Sequence, residues 1–299
     1  MYLLELIVVT GVVSAGFYAI LALSLQIVHA TTGVLNFAVG QFAVIGLFST
    51  WAWDASWHQN GWLGIVFAVV VGAAAGVVQY YVCMRTTERY AILYSSLATF
   101  AFGAFIEGLA LVIFGDGLHV VNPILTGHAV QIGNTGVPRD ALLTVLGSIL
   151  VMVMMWFLLS RTRYGYAMRG TAASPVGALV VGVDPRSVAR LSFILSGAMA
   201  SLAGALLSSQ VGAEFDFGTT YVVIAFISAL VGGMSSPVAC VLGAITVGLI
   251  SSAVAATVGS EYSPIWLLGA VLIVMLVRPT GLFVISRRRG RKTRQAVVT

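Results

Sequence analysis

Long apolar runs alternate with short polar gaps along this chain. Nine runs stand out, at 3–27, 34–53, 62–84, 91–114, 140–160, 189–211, 219–232, 238–258 and 263–285. A helix needs about 20 apolar residues to cross about 30 Å of hydrocarbon, and most of the runs reach that length. Run 219–232 is short and meets Gly232-Gly233, the pattern of a broken or tilted helix. The alternating pattern of barrel strands is absent, so helices are the way left to satisfy the backbone in lipid. The pattern predicts an all-α polytopic membrane protein with about eight or nine transmembrane helices.

Composition agrees. The chain is 59% hydrophobic and 8% charged, against about 25% charged in a soluble domain. The charges then orient the spans. Of 15 Lys and Arg residues, all but Arg139 fall on one side of the predicted membrane. Arg85 and Arg89 follow the third run, and Arg161, Arg163, Arg169, Arg186 and Arg190 surround the loop after the fifth. Arg278 and the tail from Arg287 to Arg294 close the chain. Cytoplasmic loops carry such an excess. The prediction is therefore an outside N-terminus and a cytoplasmic C-terminus. Residues 1–286 read as one membrane domain and 287–299 as a basic cytoplasmic tail, anchored near anionic headgroups with no nucleic-acid role. The first run lacks a basic n-region, carries Glu5 and is too long for a signal peptide, so it reads as a span.

Several chemistries are not signalled. There is no Walker A pattern, so the chain does not power itself by a P-loop. Cys83 and Cys240 show no CxxC spacing, and the four histidines lack ligand spacing, so no metal is expected. No catalytic group and no cofactor is predicted.

Loop 161–188 holds one predicted device. Ser174 and Pro175 form a helix start, with Ser as N-cap and Pro in the first position. Gly182 is a stop. About seven small apolar residues lie between them, a helix of roughly 10 Å. Asp184-Pro185 starts the next helix. A helix this short is not stable alone in water. Two readings stand: it lies in the membrane interface, or it docks in a protein groove.

Four segments then carry a resemblance. LNFAVGQF at 35–42, the stretch 161–204, LVGGMSSPVACVLG at 230–243 and RPTGLF at 278–283 occur in that order. Together they resemble the permease subunits of ATP-binding-cassette importers for branched-chain amino acids, with their urea and short-chain amide relatives. Val39, Gln41, Thr171, Gly177 and Ala239 depart from residues that this family favours. The resemblance implies a transport subunit that is not an enzyme and works by alternating access in the bacterial inner membrane. It implies a second homologous permease, two cytoplasmic ATP-binding subunits that bind the ATP, and an extracytoplasmic solute-binding protein. It also implies that the short helix docks in the ATPase, with Arg163, Arg169, Ala172, Pro175, Gly177, Ala178 and Gly182 in the coupling segment. A self-sufficient secondary transporter or channel is the alternative class. It would show inverted repeats or more intramembrane charges.

Inside the spans, Glu107 is the ionisable residue placed deepest. It shares one helix face with Ser96, Thr99, Gly103 and Ala110, a stripe about 80° wide. The stripe could line a path for a zwitterion, with Glu107 meeting the ammonium group, or Glu107 could bond a neighbouring helix. Asn36 and Gln41 lie about 140° apart on a helical wheel and so serve different neighbours. Capping or packing is the reading for Asn36, and both residues are also candidates for the path. Gly197, Ser201, Gly204 and Ser208 form a small-residue packing stripe, and Gly72 and Gly76 form another.

Overall fold

The computed structural model describes residues 2–57, 61–84, 92–125, 127–132, 135–234 and 236–259, with seven positions between 265 and 283. Arg85, Arg89, Arg278, the tail 287–299 and most of run 263–285 lie outside the described residues.

The chain is a helical bundle. Its helices are α1 (Tyr2–Thr32), α2 (Val39–Trp57), α3 (Gly61–Gln79), α4 (Ile92–Phe114), α5 (Arg139–Arg161), α6 (Arg163–Ala173), α7 (Pro175–Val180), α8 (Pro185–Val211), α9 (Phe217–Gly232) and α10 (Pro237–Thr257). Helix α3 continues into a π-helical turn, Tyr80–Met84. Six of these segments are long and apolar enough to cross a membrane. Helices α2 and α9 join them in the bundle, with α9 reaching only 16 residues as its Gly232-Gly233 ending suggested. Each predicted run up to 258 therefore corresponds to a helix.

Boundaries differ in informative places. Run 34–53 does not begin as helix. Gly33 ends α1 with φ of 74°, and residues 34–38 form a turn before α2. The apolar pattern could not separate a buried turn from a buried helix. The outer loop contains an antiparallel hairpin, β1 (Val130–Ile132) with β2 (Thr135–Val137). Helix α6 also escaped the hydropathy reading, because it is too polar to register as a span.

One capping device recurs where the chain re-enters the bundle. Ser174, Asp184 and Ser236 each precede a proline and accept hydrogen bonds from backbone N–H groups of α7, α8 and α10. This satisfies donors that a helix start leaves open, and proline occupies the position where no donor is needed.

The core gathers around α1. Residues 19–28 of α1 are buried on every side, including Ser24 and Gln26, as expected of a helix that is apolar all round. Helices α5, α8, α9 and α10 pack against it. Helices α4 and α5 turn large apolar residues outward instead, among them Phe105, Val112, Leu150 and Phe157.

Candidate functional site

Glu107 sits two turns before the end of α4 and is partly exposed. Its Oε2 accepts from Gln41 Nε2 at 2.6 Å and from Thr219 Oγ1 at 3.1 Å. The cluster joins α4, α2 and the first turn of α9. Among the described residues no hydrogen bond reaches Glu107 Oε1. Gln41 Oε1 is buried and has no partner there either. Turning the amide over would face oxygen to carboxylate, so Glu107 fixes its orientation. Gln41 lies against Gly218, where a Cβ would overlap the amide. Thr219 was not singled out from the sequence. It opens α9, and only the fold brings it to Glu107.

The rest of the stripe does different work. Ser96, Thr99, Gly103 and Ala110 are buried. Ser96 Oγ accepts from Leu35 N at 3.2 Å. Thr99 Oγ1 accepts from Phe37 N at 3.1 Å and donates to Leu35 O at 2.9 Å. These two residues clamp the turn before α2 and satisfy its buried backbone.

Asn36 belongs to that same turn. Its Oδ1 accepts from Ala38 N at 3.2 Å and from Gln79 Nε2 at 2.6 Å. Its Nδ2 donates to Gln79 Oε1 at 3.2 Å and to Ser196 Oγ at 3.3 Å. The capping and packing reading of Asn36 agrees with this geometry. Asn36 and Gln41 do serve different neighbours, but not through their spacing on a helical wheel, because Asn36 lies in the turn before α2 and only Gln41 is in the helix.

The coupling candidates lie together at the end of the bundle where α5 gives way to α8. Helix α7 has six residues, one fewer than expected. Ser174 Oγ accepts from Gly177 N at 3.0 Å, and Gly182 follows with φ of 81°. Arg163, Arg169, Ala172 and Gly177 are exposed, and Arg169 lies 4.7 Å from the centre of the Tyr166 ring. Val176, Leu179, Val180 and Val181 are exposed too, Val180 at 83%. Ala178 alone is buried within α7, at 4%. It anchors the helix to the bundle and presents no surface to a partner. Helix α7 thus carries an apolar face that is exposed among the described residues.

The two small-residue stripes meet. A Cβ on Gly197 would overlap the carbonyl oxygen of Gly72, and one on Gly76 would overlap that of Phe193. Gly204 abuts the Ala43 carbonyl in the same way. Ser201 Oγ donates to Phe42 O at 2.8 Å, and Ser208 is fully buried. Close backbone approach of this kind drives helix association where lipid offers no hydrophobic force. Among the described residues no group of three or more His, Cys, Asp or Glu could hold a metal ion.

Comparison with known proteins fits this arrangement. Residues 7–277 match the family described as branched-chain amino acid transport system, permease component. The Escherichia coli K12 high-affinity branched-chain amino acid transport permease LivH is 25% identical over 287 residues, covering 91% of this chain and 92% of LivH. The Pseudomonas aeruginosa counterpart BraD is 23% identical, covering 92% and 94%. The second E. coli permease, LivM, is 26% identical over 90% of this chain and 68% of LivM. Among solved structures, PsaBC from Streptococcus pneumoniae in complex with Fab shares the fold, with a TM-score of 0.52 at 13% identity over 94% of this chain.

Proposed function

The chain belongs to the branched-chain amino acid transport permease family, and from that premise we propose how it works as the permease subunit of an ATP-binding-cassette importer. It is a multi-pass protein of the bacterial inner membrane. Its solute is a branched-chain amino acid or a similar small zwitterion, moved by alternating access. The N-terminus faces outward and the C-terminus the cytoplasm, as the basic residues argue. Residues 1–286 form the permease domain, with the coupling loop at 161–188 and the basic tail at 287–299. A second permease completes the membrane unit, two cytoplasmic subunits hydrolyse the ATP that this chain does not bind, and an extracytoplasmic protein delivers the solute.

One observation carries the solute class. Glu107 is a partly exposed carboxylate within a span, with one oxygen held by Gln41 and Thr219 and the other open among the described residues. An intramembrane acid is costly in lipid and characteristically faces a cavity or a partner. An ammonium group is the natural complement of the open oxygen. Gln41 and Thr219 hold the carboxylate for it. Ser96, Thr99 and Asn36, the other candidates for the path, support it from outside by fixing the turn that leads into α2, without touching the solute. The seam of Gly197, Ser201, Gly204 and Ser208 is the rigid wall behind them.

The test is leucine uptake by the assembled importer in vesicles. Glu107→Gln should raise KM by about tenfold or more, the worth of a charge-assisted hydrogen bond. Unchanged kinetics together with an unchanged pH dependence would remove Glu107 from the path.

Coupling rests on α7. Its exposed apolar face, flanked by Arg163 and Arg169, suits a groove of the ATPase, with Ala172, Pro175, Gly177 and Gly182 shaping the helix and Ala178 fastening it. Gly177→Trp should leave membrane insertion intact and separate ATP hydrolysis from uptake. Normal coupled uptake by that variant would count decisively against docking through α7.

A further inference from the structure

A concavity opens beside α6, between the end of α5 and the start of α8, with a volume of about 700 Å³. Along the exposed side of α8 its lining passes from polar to apolar. At one end lie Asp184, Ser187 and Arg190, around the first turns of α8. Deeper in lie Leu158, Leu191, Ile194 and Leu195, all partly buried and apolar. Ser187 to Leu195 is eight residues, so the change from polar to apolar takes place within about 12 Å along the helix axis. Ile194 and Leu195 belong to the membrane-crossing part of α8. The apolar end thus runs along a helix long and apolar enough to cross a membrane, the kind of surface an acyl chain lies against.

The polar end has a net basic character. The Arg190 side chain is exposed, and its Nη1 donates to the Tyr81 hydroxyl at 3.3 Å, which steadies the guanidinium at the mouth. Arg186 is exposed close by. The opposing acid, Asp184, caps the helix start and keeps its charge, so Arg186 and Arg190 together stand against one carboxylate. Its oxygens accept from Ser187 Oγ, Arg186 N and Ser187 N. The Ser187 hydroxyl and those backbone donors hold its carboxyl below the usual range.

We propose that this groove is a binding site for an anionic phospholipid, its phosphate on Arg190 and one acyl chain along Leu158, Leu191, Ile194 and Leu195. The grading matches an amphiphile lying along the bilayer normal, and the arginine matches an anionic headgroup. Basic pockets between helices near the membrane surface bind such headgroups. The site depends on the membrane-spanning fold and is independent of the solute assigned to Glu107.

The experiment is native mass spectrometry of the full chain in detergent, titrated with phosphatidylglycerol or phosphatidylcholine. Wild type should prefer phosphatidylglycerol, and Arg190→Gln should cut that preference by about fivefold, the worth of one surface arginine. Arg190→Lys should retain most of it, which separates charge from misfolding. Ala167→Phe, which projects into the groove, should weaken binding of both lipids. Inorganic phosphate should fail to displace the lipid, because it lacks the chain. Equal binding of both lipids by wild type, full preference in Arg190→Gln, or displacement by phosphate alone would overturn the site.

Discussion

Two amide-centred clusters begin five residues apart, at Asn36 and Gln41, and they differ in what they leave open. The Asn36 cluster is closed. Asn36, Gln79 and Ser196 are fully buried, and the two amides exchange hydrogen bonds in both directions. It ties the turn before α2 to α3 and α8. The Gln41 cluster ends on Glu107, which is partly exposed and keeps one oxygen unbonded among the described residues. A satisfied buried network fixes one arrangement of helices. A half-satisfied one at the edge of a bundle has capacity left for a ligand. A side-chain amide thus closes a network at position 36 and, five positions on, leaves one open at position 41.

Breaking the closed cluster should give the larger loss of stability. Asn36→Leu strands the Gln79 amide in a buried site and removes the bond to Ala38 N. The expected cost is about 2–4 kcal/mol. It should appear as a lower unfolding temperature in detergent and less monodisperse protein, with KM for leucine unchanged in the importer that still assembles. A KM shift as large as that of Glu107→Gln would mean that the closed cluster also touches the solute.

The open cluster should respond the other way. Thr219→Val keeps the shape and removes one of the two donors to Glu107. Losing one hydrogen bond of about 1 kcal/mol should raise KM by roughly fivefold and leave the unfolding temperature almost unchanged. A stability loss without a kinetic effect would move the Glu107 cluster into the architectural class.

How much of this was legible in the sequence follows from the physics of each signal. Apolar length marked each helix from α1 to α10 that crosses the bundle, because lipid imposes one length scale. The Ser174-Pro175 and Asp184-Pro185 starts were readable, because capping is local. The stripe of Ser96, Thr99 and Glu107 was readable as one face of α4. Its division of labour was not, since two of its members hold Leu35 and Phe37 and the third holds Gln41. Those partners are set by long-range packing. Thr219 was invisible for the same reason, as was the pairing of the Gly72 and Gly76 stripe with Gly197. Ala178 looked like its neighbours in α7, and only the docking of α6 and α7 onto the bundle decided which of the small residues turned inward.

The smallest expected effect lies between the two clusters, at Thr99. Its hydroxyl bonds both Leu35 and Phe37 and also donates to Ser96 O at 2.7 Å. Thr99→Val preserves volume and leaves those backbone groups short of one partner. Other bonds hold the same turn, including Ser96 to Leu35 N and Asn36 to Ala38 N. The loss should therefore be about 1 kcal/mol, read as a small drop in unfolding temperature. KM should stay at the wild-type value, because the hydroxyl faces the turn and not the open oxygen of Glu107. If KM rises in Thr99→Val as it does in Thr219→Val, the solute path runs along α4 past the turn, and the boundary between the closed and open clusters moves one helical turn deeper.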